Sequence, residues 1–524
     1  MRFFNTAGPV QCEKHYCLPP LTRFNLDEIL LLIKQEKYFV LHAPRQTGKT
    51  TSLLALMKRL NQENEYRCLY LNVEVGQSAR ENVQRGIRAI LGQLALRAQD
   101  SLGDTFIAER WQDVLAQHGE DGALNAMLTL WANVNPKPLV LLIDEIDALV
   151  GDTLIAVLRQ LRAGYDKRPL HFPQSIVLCG VRDVRDYRIY SDREKDIITG
   201  GSAFNVKAES LRMGNFDQQE IKVLYQQHTE ETGQEFAPKA LHQIWTLTQG
   251  QPWLVNALGY EICFKMSENR DRELFTTEMV MQAKEQLIAR RETHLDQLAD
   301  KLKEERVRRV IEPLLSGVGS PDLIPTDDIW YARDLGLIQT DEQLRIANPI
   351  YQEIIPRELT YSTQLTITHQ PAWYIQPDGQ LNMDKLLTAF QQFFREHSEH
   401  WVERFDYKEA GPQLLMQAFL QRIVNSGGRI EREYGLGRMR TDLLIVWPYL
   451  DGVQKSVIEL KILYGSLEHA LATGLEQTWG YMDRCGADAG HLVIFDRDER
   501  KTWDEKISRR EKVYQGNKIV VWGM

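Results

Sequence analysis

A multidomain α/β protein is the fold class that this sequence predicts, and three observations predict it. The chain has 524 residues, more than one hydrophobic core usually supports, so roughly three to four domains are expected. Its first part alternates short apolar runs with helix-like stretches. Its last ~130 residues, after a long helical region, begin such an alternation afresh. With 43% hydrophobic and 26% charged residues, the composition is that of a folded protein throughout, and no repeat or low-complexity tract interrupts it.

The strand-like runs of the first part are KYFVLH at 37–42, RCLYLNV at 67–73, PLVLLIDE at 138–145 and SIVLCGV at 175–181. Continuous apolar runs of this kind suit parallel strands buried on both faces, with crossover helices between them. Residues 1–214 are therefore expected to form a parallel α/β core. From 215 to 302 the sequence turns to charged, helix-favouring stretches such as FDQQEIKVLYQQHTEETG, with apolar residues three and four apart, which predicts a helical subdomain. Residues 303–360 read as helix, helix, short strand and helix, the order of a small winged-helix-like module. Pro371, Pro377 and Gly379 mark 361–395 as a connector, and 396–524 as a second, C-terminal α/β domain.

A net charge of −9 argues against a chain coated in basic surface for nonspecific DNA binding, although it leaves room for a local basic groove. The N-terminal residues show no apolar core after a basic start, and nowhere does an apolar run approach the roughly 18 residues of a membrane span. A cytoplasmic protein without a membrane segment is expected. Its six cysteines, with Cys68, Cys179 and Cys263 inside apolar runs, read as reduced core thiols rather than a disulfide framework. Cys12, His15 and Cys17 could supply three zinc ligands, but their spacing fits no finger and a fourth ligand is not in view.

The chemistry concentrates in two places. At 42–51 the sequence HAPRQTGKTT follows a strand and precedes a helix, the setting that a phosphate-binding loop requires. Gln46, Thr47, Gly48, Lys49, Thr50 and Thr51 would then surround a nucleotide's phosphates. Gly48 allows close backbone approach, Lys49 reaches the β and γ oxygens, and the Thr50 hydroxyl ligates Mg²⁺. Ala43 stands where the motif's first glycine is usual. The run PLVLLIDEID delivers Asp144 and Glu145 at the end of a strand too apolar to carry acids without reason. Asp144 is placed to hold hydrated Mg²⁺ and Glu145 to orient or activate the attacking water. Arg182, at the end of SIVLCGVRD, reads equally as a sensor of the γ-phosphate and as a surface arginine in a salt bridge. Arg159, Arg162 and Arg168 are all candidates for an arginine finger.

HAPRQTGKT, LLIDEID, SAFNVKAESLRMGNF and TQGQPWLVNAL together resemble the AAA-like ATPases of the STAND group, signal-transducing ATPases related to AAA+ proteins, over residues 15–360. In that group a Gly-x-Pro in the helical lid touches the nucleotide, and Gly250, Gln251 and Pro252 match it. The resemblance implies a nucleotide-controlled switch in which ADP holds a closed form and ATP promotes an open, often oligomeric one.

The second place is the C-terminal domain. Asp442 enters the apolar strand of TDLLIVW, and SVIELKI carries Glu459 and Lys461 two residues apart, hence on one strand face. Two carboxylates can hold Mg²⁺ or Mn²⁺ there, while the lysine orients a hydroxide or stabilises charge on phosphate. This arrangement resembles the PD-(D/E)xK nuclease superfamily, and Gln477 with Tyr481 of LEQTWGYM resembles the Q-x-x-x-Y extension of many members. Thr441 replaces the proline of the motif's name, and Glu409 matches an additional acid used by some members. Arg429, Arg432, Arg438 and Arg440 interleave with Tyr434 but also with Glu431 and Glu433, so they read either as contacts to a phosphodiester backbone or as a solvated strand face.

The leading expectation is an ATP-dependent switch that controls a Mg²⁺-dependent DNA endonuclease, oligomerising on activation by an unknown trigger. By analogy of architecture, prokaryotic proteins of this build are often antiviral defence effectors. The alternatives are a nucleotide-binding sensor or scaffold whose C-terminal domain binds without cutting, and an ATP-driven DNA-processing motor.

Overall fold

The computed structural model describes the chain except for residues 184–186, 192–195, 267–273, 291–293, 295–297, 299, 317–323, 342–343, 360–373, 403–414, 418, 421–428, 432–442, 451, 464, 497 and 499. It divides into two compact units, Met1–Ala289 with Asp334–Gly336, and Arg290–Arg333 with Leu337–Met524. Among the described residues no helix is long and apolar enough to cross a membrane.

The first unit is built on five strands, β1 (Tyr38–His42), β2 (Arg67–Asn72), β3 (Leu139–Asp144), β4 (Ser175–Gly180) and β5 (Lys207–Arg212). They lie in the order β2-β3-β4-β1-β5, and every pair is parallel. The continuous apolar runs follow from burial on both faces. Leu139, Leu141 and Ile143 enter one core with residues of helices α3 (Val83–Leu102), α4 (Ala123–Val134) and α5 (Gly151–Ala163). Val140 and Leu142 enter the opposite core with α1 (Leu26–Lys34) and α2 (Lys49–Glu63). The edge strand β5, KAESLR, is largely exposed, and so it lacks the apolar run that reveals the other four.

The helical stretch forms α6 (Gln218–Thr232), α7 (Pro238–Thr248) and α8 (Pro252–Tyr260). Asp217 and Glu220 close a reciprocal capping box at the start of α6, which satisfies two backbone donors that the first turn leaves free. Between α7 and α8 the chain reverses at Gly250, whose φ of +72° and whose 1.8 Å clearance from a Cβ position to the Phe216 carbonyl oxygen admit only glycine.

In the second unit, helices Glu305–Ser316 and Thr326–Asp334 are followed by a ribbon of Ile338–Gln339 with Arg345–Ile346 and a helix Pro349–Leu359. The sequence suggested one short strand where there are two. A six-stranded sheet follows, made of β6 (Arg429–Glu431), β7 (Leu443–Tyr449), β8 (Gly452–Ile462), β9 (Ala489–Phe495), β10 (Ser508–Tyr514) and β11 (Asn517–Gly523) in the order β6-β7-β8-β9-β11-β10. Strands β8, β9 and β11 run parallel, and β6, β7 and β10 pair antiparallel to their neighbours. Two helices flank it, α9 (Met383–Val402) and α10 (Leu467–Cys485). Leu386, Leu387, Phe390 and Phe394 of α9 pack with Leu443, Ile458, Val493 and Trp522 in one core. Residues 383–395, read from the sequence as the end of a connector, thus belong to this core, because their apolar residues repeat at helical spacing.

On that face His491 is buried and its Nδ1 accepts a hydrogen bond from Trp522 Nε1 at 3.3 Å. Burial holds the imidazole down at about 4, below its ordinary 6.5. Between these values the unfolded chain binds a proton that the folded chain does not. Stability is therefore complete above the higher value and falls as pH drops toward the lower one, by about 2 kcal/mol at pH 5. Denaturant unfolding at pH 7 and pH 5 is expected to show this loss shrinking by about that amount in His491→Gln.

Cys12 and Cys17 are not reduced thiols but are joined to each other, whereas Cys68, Cys179, Cys263 and Cys485 are free. The two lie five positions apart on a hairpin-like turn rather than in apolar runs, and composition alone does not show that proximity.

Candidate nucleotide site and candidate metal site

From the end of β1 at His42 the chain turns through Ala43–Gly48 and enters α2 at Lys49. The turn needs left-handed backbone at Gln46, φ 57°, and at Gly48, φ 96°, and the second value is one that side-chain-bearing residues rarely adopt. Lys49 is buried, with its ammonium donating to the carbonyls of Ala43 at 2.9 Å and Pro44 at 3.0 Å. Thr47 donates to the same Pro44 oxygen at 2.8 Å. The ammonium is thereby held against the loop that leads into the N-terminus of α2, an arrangement suited to phosphate.

Asp144 closes β3 with no exposed surface. Thr50 Oγ1 donates to its Oδ2 at 2.7 Å, and the Glu145 backbone N–H donates to Oδ1 at 3.0 Å. These two sequence-distant candidates thus meet. A hydroxyl and a carboxylate side by side at the end of a phosphate loop fit Mg²⁺, a cation of oxygen ligands. Glu145 follows with left-handed backbone, φ 57°. Burial, and then the nearby Asp147, push its carboxyl up, with Asp144 adding to the shift and Lys49 and Arg45 opposing it. A carboxyl raised in this way is a better proton acceptor once ionised. Thr51 does not face the same partners: its hydroxyl accepts the Val10 N–H at 3.0 Å. Arg182 lies with its guanidinium 4.4 Å from the centre of the Tyr187 ring. Pro252 is the first residue of α8, capped by the Gln251 side chain at Leu254 N, 2.6 Å.

Residues 28–353 match the family described as AAA-like domain. The chain belongs to that family. The AAA-like unit is accordingly a nucleotide-binding P-loop ATPase domain, and such a family implies ATP or ADP, usually with Mg²⁺. No curated protein matches the chain. Among solved structures it is similar to a Walker-type ATPase of Pyrococcus abyssi, with 14% identity over 65% of this chain and 99% of that one and a TM-score of 0.43. It is also similar to Cdc6p of Pyrobaculum aerophilum, with 12% identity over 78% and 93% and a TM-score of 0.35. A third is the RuvB Holliday junction branch migration motor of Thermotoga maritima, with 13% identity over 62% and 92% and a TM-score of 0.32.

Sequence reasoning missed Tyr70 in the AAA-like unit. Its hydroxyl donates to Asp144 Oδ2 at 2.9 Å, from the neighbouring strand β2, where Asn72 is the register partner of Asp144. The available signal was one polar-tipped residue in the apolar interior, CLYL, of the strand. Should Mg²⁺ draw Thr50 away from Asp144, Tyr70 would still orient that carboxylate, beside the Cys179 thiol. Tyr70→Phe is expected to raise the Mg²⁺ concentration for half-maximal ATP turnover by roughly 10- to 150-fold, the scale of one hydrogen bond to a charged group. Nucleotide affinity in excess chelator should stay unchanged, and a Mg²⁺ titration reads the difference.

In the C-terminal sheet, Glu459 of β8 has no exposed surface and its Oε1 lies 2.8 Å from Lys461 Nζ, whose side chain keeps 25% of its exposure. Helix α10 packs on the same face, where Tyr481 shares a core with Val457 and Leu492. The buried Gln477 Oε1 and Tyr481 hydroxyl have no hydrogen-bond partner among the described residues. Asp442, Thr441, Glu409, Arg432, Glu433, Tyr434, Arg438 and Arg440 lie outside the described residues. Arg429 and Glu431 are placed in β6 by their backbone. Among the described residues no three His, Cys, Asp or Glu side chains gather as a metal site, so Glu459 is the one predicted nuclease ligand whose surroundings are described.

Proposed function

We propose that the AAA-like unit is an ATP-dependent switch controlling a Mg²⁺- or Mn²⁺-dependent DNA endonuclease formed by the C-terminal sheet, with an oligomeric active form and a trigger of unknown chemistry. The observation that carries the nuclease half is Glu459, a fully buried carboxylate held 2.8 Å from the ammonium of Lys461. A sheet has no packing need for such a charge, and burying one is costly unless it serves something.

In the AAA-like unit Lys49 binds the β and γ oxygens, Thr50 and Asp144 hold the metal, and Glu145 accepts the proton of the attacking water. Arg182, released from the Tyr187 ring, senses the γ-phosphate. Pro252 carries the lid's contact to the nucleotide. In the C-terminal unit Asp442 and Glu459 are the metal ligands, Lys461 orients the nucleophile, and Gln477 positions the site from α10. The ion, when bound, polarises the scissile phosphate.

Supercoiled-plasmid cleavage by the full chain with Mg²⁺ or Mn²⁺ tests the reading, without nucleotide and with ADP, ATP or a non-hydrolysable ATP analogue. Cleavage that changes with nucleotide and disappears in Asp442→Ala, with Lys49→Ala insensitive to nucleotide, is the expected result. Cleavage that survives Asp442→Ala would refute the assigned site. ATP turnover stimulated by DNA, with nicking indifferent to nucleotide, would favour a motor.

A further inference from the structure

The N-terminal segment forms a strap to which the proposed chemistry assigns no part. Phe3 and His15 bridge its two arms, with Phe3 N donating to the Lys14 carbonyl at 3.2 Å and Tyr16 N to the Phe3 carbonyl at 3.0 Å. One end of the strap is sewn to the lid. Phe4, fully buried, packs 4.8 Å from the Tyr225 ring of α6, and a Cβ at Gly259 of α8 would sit 2.8 Å from the Phe4 ring. Gln227 of α6 exchanges two hydrogen bonds with the Cys17 backbone, at 3.1 and 2.9 Å. Trp253 of α8 donates to the Thr6 carbonyl at 2.9 Å.

The other end reaches the phosphate loop's helix. Val10 N donates to Thr51 Oγ1 at 3.0 Å, one residue beyond the candidate metal ligand Thr50, and Ser52 Oγ donates to the Pro20 carbonyl at 2.9 Å. Between these anchors the Cys12–Cys17 bond closes a short ring. Cys12 is exposed and Cys17 half-buried. A solvent-accessible cystine in a protein with four other cysteines free belongs with exchangeable bonds rather than with structural frameworks.

We infer that Cys12–Cys17 is a thiol–disulfide exchange site whose redox state sets how firmly the strap ties the lid to the phosphate loop, and hence how fast nucleotide leaves. The inference rests on the nucleotide-binding role of that loop. The reaction is exchange with a dithiol. One thiolate of the dithiol attacks Cys12 Sγ, the protein S–S bond breaks, and Cys17 departs as a thiolate that takes up a proton. The second thiol then attacks the mixed disulfide, freeing Cys12, which is protonated in turn, while the dithiol leaves as a disulfide. Two electrons and two protons pass to the protein. Opening the ring frees the Val10 arm from the Cys17–Gln227 clasp, which loosens the tie at Thr51.

The test uses the full chain after treatment with oxidised or reduced dithiothreitol, with the state of both cysteines fixed by alkylation and mass measurement. Release of a fluorescent ADP is expected to be faster when reduced, by up to about 40-fold, the limit that chain entropy sets for opening a ring of about six residues. A Cys12→Ser, Cys17→Ser variant should release at the fast rate in both conditions. Hydrogen exchange at residues 3–17 and in α6 and α8 supplies a readout that needs no nucleotide and should rise on reduction. Equal exchange and equal release in both states would overturn the inference, as would a redox response that persists in the double variant or a pair that never oxidises. Failure of ADP to bind in either state would count against the nucleotide reading alone, and the exchange data would still decide the strap.

Discussion

Alanine at Lys49 is expected to lower ADP and ATP affinity by at least about 100-fold, some 3 kcal/mol. The ammonium is buried and engages two carbonyl oxygens of its own loop, those of Ala43 and Pro44. Neutral carbonyls are weaker partners for a cation than phosphate oxygens, so the loop holds the charge in place while leaving a strong incentive for an anion to bind. Removing the side chain removes that incentive. It should not unfold the unit, because the anchor of α2 is elsewhere: Leu53, Leu56 and Leu60 pack under the sheet with Ile29 and Ile33. Calorimetric titration of the full chain with ADP, beside a thermal melt without nucleotide, separates the two effects. Binding within about threefold of the unaltered chain would mean that the loop is not the nucleotide site.

What could be read from the sequence divides along physical lines. Strands β1–β4 were legible because burial on both faces leaves an uninterrupted apolar run, as in LVLLID of β3, and this holds even for β2 at the sheet's edge. The edge strands β5 and β10 were not, since KAESLR and SRREKVY place much of their side-chain surface in water. Motif spacing brought Thr50 and Asp144 together correctly, because a strand end and a helix start in a parallel sheet share one edge. It could not reveal Tyr70, whose role depends on register with β3. Nor could it reveal the strap, which docks residues of the first turn of the chain onto Gln227 and Trp253. Contacts across more than 200 sequence positions leave no local pattern. The Cys12–Cys17 pair, only five positions apart, was passed over for a different reason: proximity in space, not composition, decides between thiol and disulfide.

Glutamine at Glu459 is expected to reduce plasmid nicking at least about 1,000-fold while leaving the fold intact, and the contrast between the two is the informative part. The substitution keeps the volume of a side chain that has no exposed surface, so no cavity opens. It deletes one charge of a pair whose other member, Lys461, keeps a quarter of its exposure and can return its ammonium to water. Buried pairs of this kind contribute little net stability, because desolvation offsets their attraction. The melting temperature should therefore stay the same or rise, as it often does when a charge retained for function is removed. Lys461→Ala is the necessary companion. It removes the paired ammonium from a buried carboxylate and should destabilise by about 3 kcal/mol or more. If instead Glu459→Gln costs several kcal/mol and cleavage is unaffected, the pair holds the sheet together and the catalytic metal lies elsewhere.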